Sequence, residues 1–148
     1  MKAAISKLNC IAWIGLIVCI NAISDARAQS NGTIKVNEDG VAFASQLIRR
    51  GSLIFDGKGA WREHKPSPGE ENEFIRLHGF AEYAKWHLGV DEHYAVNTKR
   101  RYKFPYGDFT NVHRSGLLAV KARAAQHKYH DIEDAAARLI GMTLRARH

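Results

Sequence analysis

The stretch KRRYKFPYGDF, residues 99–109, divides an otherwise mostly helical sequence into two parts. Its aromatic residues Tyr102, Phe104 and Tyr106 alternate with polar or rigid positions, which predicts an extended segment. Pro105 keeps Phe104 out of helical geometry and places the segment at a sheet edge or a strand end. Alternate side chains of an extended segment point in opposite directions, so we expect the rings to anchor it in the core and the cations to face water.

A strong helix start precedes this segment. Ser67 is a capping residue, Pro68 suits the first helical position, and Glu70 completes a Ser-x-x-Glu capping box. Apolar side chains then recur at three- and four-residue steps, as on the buried face of a helix. Gly79 and Gly89 predict the ends of two successive short helices.

Further elements complete the predicted fold. The stretch SLIFDGKGAW, residues 52–61, predicts a β-hairpin, because an apolar run meets the turn pair Asp-Gly. Asp108 or Thr110 is predicted to cap a long helix, and Asp131 is predicted to cap the last one. The fold class is therefore mainly α: a single α-rich domain over residues 39–148, with a short β-hairpin and a C-terminal antiparallel helix pair.

The N-terminus predicts export. Residues 1–28 combine a positively charged opening, an apolar run and the small residues Ala-Arg-Ala, which together are typical of a signal peptide cleaved between Ala28 and Gln29. The apolar run of 11 residues is short of the roughly 20 needed to cross a bilayer. We expect a periplasmic or secreted protein with a flexible leader over residues 29–38 and no transmembrane segment in the mature chain.

Both cysteines, Cys10 and Cys19, lie within the predicted signal peptide. The mature chain would therefore be cysteine-free, which excludes a disulfide framework, a thiol nucleophile and a thiolate metal site. Lipidation of Cys19 is an alternative to cleavage after Ala28, but bulky Val18 precedes the cysteine, where a small residue is usual.

The charge distribution is uneven. Residues 95–148 carry eleven Lys and Arg against four Asp and Glu, whereas residues 29–94 carry eight against ten. This asymmetry predicts a basic face for an anionic partner such as an envelope surface, a glycolipid or nucleic acid. The alternative is that the cations are only the solvated outer faces of helices. The predicted face consists of Lys99, Arg100, Arg101, Lys103, Arg114 and Lys121.

Eight histidines offer candidate metal ligands. His127, His130 and Asp131 lie close together at a predicted helix junction, and imidazole and carboxylate are good ligands for zinc or copper. The alternative is that His127 and His130 lie at helix ends, where a partial positive charge is favourable. No motif for a nucleotide is present, and no cofactor is predicted.

Two histidines have a carboxylate at short spacing. His87 with Asp91, and His113 with Asp108, are pairs in which a carboxylate could orient an imidazole, as a general base requires. Ser115 is the nearest nucleophile in sequence, but no Gly-x-Ser-x-Gly motif surrounds it. For His87 the alternative is a core histidine satisfied by a carbonyl group. We therefore predict no catalytic residue.

Several motifs together resemble a family of short bacterial proteins of unassigned function. They are Trp-x-x-His, KWHLG, RYKFPYGDF, VHR and the helix beginning DIEDAA, and the resemblance covers about residues 52–142. Most members of that family lack a signal peptide, and the resemblance implies no particular activity. The sequence favours an exported, non-enzymatic binding protein with a basic face; the alternative is a histidine-dependent metal-binding protein or hydrolase.

Overall fold

The structure, a computed structural model, describes residues 33–147. Within them the chain forms five α-helices, five short strands and one turn of 3-10 helix at Lys99–Arg101. In chain order the elements are β1 (Ile34–Val36), α1 (Glu38–Arg49), β2 (Leu53–Ile54), α2 (Trp61–His64), α3 (Pro68–Ala84), β3 (His87–Asp91), β4 (Tyr102–Pro105), β5 (Val112–His113), α4 (Arg114–Gln126) and α5 (His130–Arg145).

A three-stranded antiparallel sheet lies at the centre of the fold, with the strand order β1-β3-β4. Gly89 of β3 lies opposite Val36 on one side and Lys103 on the other. A Cβ atom at Gly89 would lie 2.8 Å from the ring of Phe104. Glycine is therefore needed here, because it allows that ring to pack on the sheet.

The mainly α class is confirmed, but the predicted hairpin over residues 52–61 is wrong. Leu53 pairs in parallel with Val112, in a separate two-stranded ladder of β2 and β5. Trp61 begins α2 and does not form a returning strand. The Asp-Gly turn pattern misled because Asp56 forms hydrogen bonds with its side chain to a distant part of the chain.

The start of α3 is confirmed. The Ser67 hydroxyl accepts the backbone N–H of Glu70, and the Glu70 carboxylate accepts the backbone N–H of Ser67. Gly79 breaks the helix as predicted, with φ at 79° and ψ at 171°. The second part ends at Ala84 rather than Gly89, because residues 87–89 are buried as strand β3.

The two C-terminal helices pack against each other. The three residues that connect them reverse the chain, as in a helical hairpin. Helical spacing predicts an inner stripe of α5 at Ile132, Ala135, Ala136, Leu139, Ile140 and Thr143. The stripe is confirmed, since all of these residues are buried except Ile140, which is half-buried. The predicted cap of the preceding helix is wrong, because α4 begins only at Arg114. Asp108 instead closes a turn, in which it accepts the backbone N–H groups of Thr110 and Asn111.

The aromatic anchor of residues 99–109 is confirmed most clearly at Tyr106. This side chain is fully buried, and its hydroxyl donates to the carbonyl oxygen of Lys85 at 2.8 Å. Tyr102 and Phe104 are half-buried, and so are Arg101 and Lys103. The expected division into an aromatic inner side and a cationic outer side is therefore incomplete.

Part of the predicted flexible leader belongs to the fold. Residues 34–36 form β1, and the backbone N–H of Asn37 donates to the carbonyl oxygen of Leu88. The Asn37 side chain also donates to the carbonyl oxygens of Ala84 and His87, both at 2.8 Å. The predicted signal peptide, residues 1–28, lies outside the described residues. Within residues 33–147, no helix combines the length and apolar character that crossing a membrane requires.

Candidate functional site

A buried imidazole between two carboxylates is the centre of the candidate site. Parallel pairing of β2 with β5 places Ile54 opposite His113 and so brings Asp56 beside that histidine. His113 Nδ1 lies 2.8 Å from Asp56 Oδ2, and His113 Nε2 lies 3.1 Å from Asp108 Oδ2. The predicted pairing of His113 with Asp108 is therefore confirmed, whereas the sequence did not indicate Asp56.

The Asp56 carboxylate is held from both sides. The backbone N–H of Ser115 donates to Oδ1 at 2.7 Å, and the Ser115 hydroxyl donates to Oδ2 at 2.6 Å. Burial by itself raises the pKa of Asp56, but the hydrogen bonds from Ser115 and His113 outweigh it and lower the pKa below its usual value. Asp56 is therefore ionised at neutral pH.

Asp108 is a second ionised carboxylate. Burial also opposes its ionisation, but the backbone N–H groups of Asn111 and Thr110, together with His113, hold the pKa of Asp108 below its usual value. An ionised carboxylate only accepts hydrogen bonds, so each ring nitrogen of His113 faces an acceptor. A hydrogen atom or a metal ion can therefore bridge a ring nitrogen and its carboxylate oxygen on either side of the imidazole.

His64 completes the cluster from another element. It lies at the end of the one-turn helix α2, and its ring stacks on that of His113, with centroids 4.9 Å apart and planes at 23°. Trp61, one turn earlier on α2, packs against His113, with the ring centroids 5.7 Å apart. A Cβ atom at Gly116 would lie 3.1 Å from the Trp61 ring, so this glycine allows the close approach.

Asp56, His64 and His113 each present one possible ligand atom, and these atoms all lie within 4.8 Å of one another. Within residues 33–147 they form the one such group of three among His, Cys, Asp and Glu. Asp56 and His113 are shielded from solvent, whereas His64 is exposed. Asp56 and His113 are therefore already held in position, and solvent reaches the site at His64. The Trp-x-x-His motif was the sequence signal for His64, because it places both rings on one helical turn.

The metal site predicted at His127, His130 and Asp131 is not assembled among the described residues. The structure does not bring these three side chains together. The ring of His127 stacks on Tyr129, whereas His130 Nδ1 lies 3.7 Å from the carboxylate of Glu133, one helical turn onward. At the start of α5, His130 therefore faces a carboxylate of its own helix.

The other possible pair, His87 with Asp91, does not form, and the alternative of a core histidine satisfied by a carbonyl group is confirmed. His87 is a core histidine, with Nδ1 lying 3.0 Å from the carbonyl oxygen of Tyr83. Burial lowers its pKa to about 4. Asp91 contacts His93 instead. Ser115 is buried and donates its hydroxyl to a carboxylate rather than to an imidazole, so the geometry does not support it as a nucleophile.

The predicted basic face is only partly assembled. Three of its members gather around Tyr94: Arg101 Nη1 donates to the carbonyl oxygen of that residue at 2.8 Å, and Arg100 and Lys103 lie over its ring. Lys99 lies beside them in sequence but forms an ion pair with a glutamate of α3 at 2.9 Å. Its charge is therefore already balanced.

Arg114 and Lys121 have other surroundings. The guanidinium of Arg114 stacks on the ring of Phe55 at 4.8 Å, on the same ring that Arg147 contacts. Arg114 is half-buried, whereas Lys121 is exposed on α4. The six cations therefore do not share one set of contacts, and the common basic face stays a prediction.

Comparison of the chain with protein-family models, with curated proteins and with solved structures finds no match in any of the three. The resemblance to a family of short bacterial proteins thus stays a prediction.

Proposed function

We propose that this protein is a histidine-dependent metal-binding protein that holds one divalent transition-metal ion, preferably zinc, through Asp56, His64 and His113. The observation that carries the proposal is the convergence of these three side chains from the loop after β2, from α2 and from β5, with ligand atoms within 4.8 Å of one another. The proposal replaces the ligand set predicted near the start of α5 and keeps the metal-binding alternative.

The donor set suits zinc. Two imidazole nitrogens and one carboxylate oxygen are ligands that zinc commonly takes, and Asp56 and His113 are already oriented before an ion arrives. Asp108 accepts a hydrogen bond from the second nitrogen of His113, which is how metal-bound histidines are usually held. Ser115 supports the carboxylate ligand in the same way.

The surroundings of the site give the ion access to solvent. His64 and Asp108 both line a cavity of about 370 Å³ between α2 and α3. Three protein ligands leave a coordination position for water, as in catalytic rather than structural zinc sites. A zinc ion held by these ligands would act as a Lewis acid and would lower the pKa of a water molecule in the open coordination position. Hydrolysis is therefore the enzymatic extension of the proposal.

The role favoured from sequence, a non-enzymatic protein with a basic face for an anionic partner, has weaker geometric support. Its cations divide among Tyr94, an ion pair with α3 and the ring of Phe55. Export to the periplasm or outside the cell is compatible with metal binding, because neither ligand type requires a reducing compartment.

Zinc titration of the purified chain tests the proposal. Isothermal titration calorimetry should give one zinc ion per chain, with proton release and an affinity that falls as the pH is lowered, because zinc and protons compete for imidazole nitrogens and carboxylate oxygens. His64→Ala is the decisive variant, since His64 is exposed and its loss leaves the core intact. It should weaken binding at least about tenfold.

His93→Ala is the matched control. His93 is an exposed histidine that also contacts an aspartate, Asp91, at 3.0 Å, but it has no third ligand beside it among the described residues. This variant should bind zinc as the wild type does. If the wild type takes up no zinc, or if both variants bind equally well, the proposal is wrong and the His113 network has a structural role only.

A further inference from the structure

A second cavity, separate from the proposed metal ligands, lies beside Trp61. It has a volume of about 700 Å³ and opens between α2, β4 and α4. Trp61, Phe104, Val120 and Tyr129 contribute apolar surface to its walls. Cavities of this size and character are typical of small-molecule sites.

The charged side chains around this cavity are all basic. Lys65, Lys103 and Arg123 line it together with His127, and no aspartate or glutamate is among its lining residues. Within residues 33–147, none of the three cations belongs to an ion pair. Apolar walls with a basic rim favour a ligand that has an apolar body and a negative charge.

Phe104 lines the cavity in a strained backbone conformation that its neighbours hold in place. Phe104 has a φ of 62°, in the left-handed region that bulky residues rarely adopt. Its ring is held over Gly89, where a Cβ atom would come within 2.8 Å, and against Tyr129 at 6.0 Å. Strained residues of this kind cluster at ligand sites, where the surrounding structure maintains them.

We infer that this cavity binds an amphipathic carboxylate, such as a medium-chain fatty acid anion, with its tail against Trp61 and Phe104 and its carboxylate at Arg123 and the neighbouring lysines. The apolar walls would bind the hydrocarbon tail, and the basic side chains at the rim would bind the carboxylate. The inference does not depend on the proposed metal site, because none of the three metal ligands lines the cavity.

Decanoate is the probe that tests the inference. It is added to the full chain below its micelle concentration, with tryptophan fluorescence and calorimetry as readouts. Decanoate should bind saturably, at one molecule per chain. Decan-1-ol, which has the tail without the charge, should bind at least about tenfold more weakly, and decylammonium should not bind measurably. Equal binding of decanoate and decan-1-ol would show that the basic rim does not select the ligand, and would overturn the inference.

Two charge reversals on the same helix locate the site. Arg123→Glu should weaken decanoate binding at least about tenfold. Lys121→Glu should leave it unchanged, because Lys121 is exposed on α4 and does not line the cavity. Equal effects of the two reversals would overturn the inference, since net charge rather than the cavity would then be responsible. Circular dichroism should show that both variants are folded.

Two experiments separate this inference from the proposed function: a substitution that fills the cavity, and zinc titration of the variants. Ala119→Trp places a large ring at a lining position and should abolish decanoate binding; full retention of binding would place the ligand elsewhere. Arg123→Glu should keep the zinc affinity of the wild type, and His64→Ala should keep its decanoate affinity. If zinc fails to bind, the decanoate result still stands, and if decanoate fails to bind, the zinc result still stands.

Discussion

His113 Nδ1 and Asp56 Oδ2 lie 2.8 Å apart although the two residues are 57 positions apart in the chain. The contact depends on two parallel pairs of residues between β2 and β5, a ladder too short to be stable alone. Ser115, two residues after the histidine, returns two hydrogen bonds to the same carboxylate. The side-chain network and the ladder therefore stabilise each other, and the network is a structural element as well as a candidate site.

We predict that Asp56→Asn lowers the free energy of unfolding by about 1–3 kcal/mol, because the amide keeps only one acceptor oxygen and turns its NH2 group towards a buried donor of Ser115 or His113. Urea denaturation followed by circular dichroism measures this change. Asp91→Asn is the control, since Asp91 pairs with a histidine that is largely exposed, and it should have a smaller effect. Equal effects would show that the buried network adds no stability.

Stability should fall with acidity below neutral pH because of His87. Burial holds the pKa of His87 at about 4, below its usual 6.5, so the folded chain binds this proton less readily than the unfolded chain does. The stabilisation is complete above pH 6.5 and is lost as the pH falls from there to about 4, by on the order of 3 kcal/mol. Denaturation curves across this pH range should lose most of this slope in His87→Gln; an unchanged slope would assign it to other groups.

Stability should decrease further in stronger acid because of Asp56 and Asp108. Both have a pKa below the usual value of 3.8, so their stabilising effect is present above that value and is lost as the pH falls through the lower value of the folded state. Acid denaturation followed by fluorescence should show this decrease below about pH 4. In Asp56→Asn the decrease should be shallower, and a curve parallel to that of the wild type would contradict the prediction.

Tyr106 should contribute more to stability than Phe104. Tyr106→Ala empties a fully buried position and should cost about 3–5 kcal/mol. Tyr106→Phe removes only the hydroxyl, which donates to the carbonyl oxygens of Lys85 and Gly40, and should cost about 1 kcal/mol. Phe104→Ala should cost less than Tyr106→Ala, because Phe104 is half-buried and its replacement leaves a smaller cavity. Thermal unfolding gives the order of the three variants, and a reversed order would mean that Phe104 is the principal anchor.

Processing at the N-terminus tests the predicted export. Protein recovered from the producing cell should have the intact mass of a chain that begins at Gln29, because Ala-Arg-Ala precedes that residue as a signal-peptidase site. Ala28→Leu places a large residue at the cleavage position and should block processing. Recovery of the wild type as an unprocessed chain in the cytoplasm would contradict the prediction.

Local features were predictable where neighbouring residues alone define them. The capping box of Ser67 and Glu70, the break at Gly79 and the buried stripe of α5 all depend on interactions within about one or two helical turns. The burial of Tyr106 followed from alternation and a rigid turn. The mainly α class and the C-terminal helix pair followed from such patterns in the same way.

Tertiary structure alone decided the strand pairing and the site. The run at Leu53 finds its partner at Val112 rather than across the Asp-Gly turn, since burying it against a distant strand stabilises it more than a hairpin in water would. That pairing brings Asp56 to His113, and α2 adds His64 to them. Sequence spacing predicted only the contact with Asp108, five residues away, because side chains from three separate elements meet only when a shared core brings those elements together.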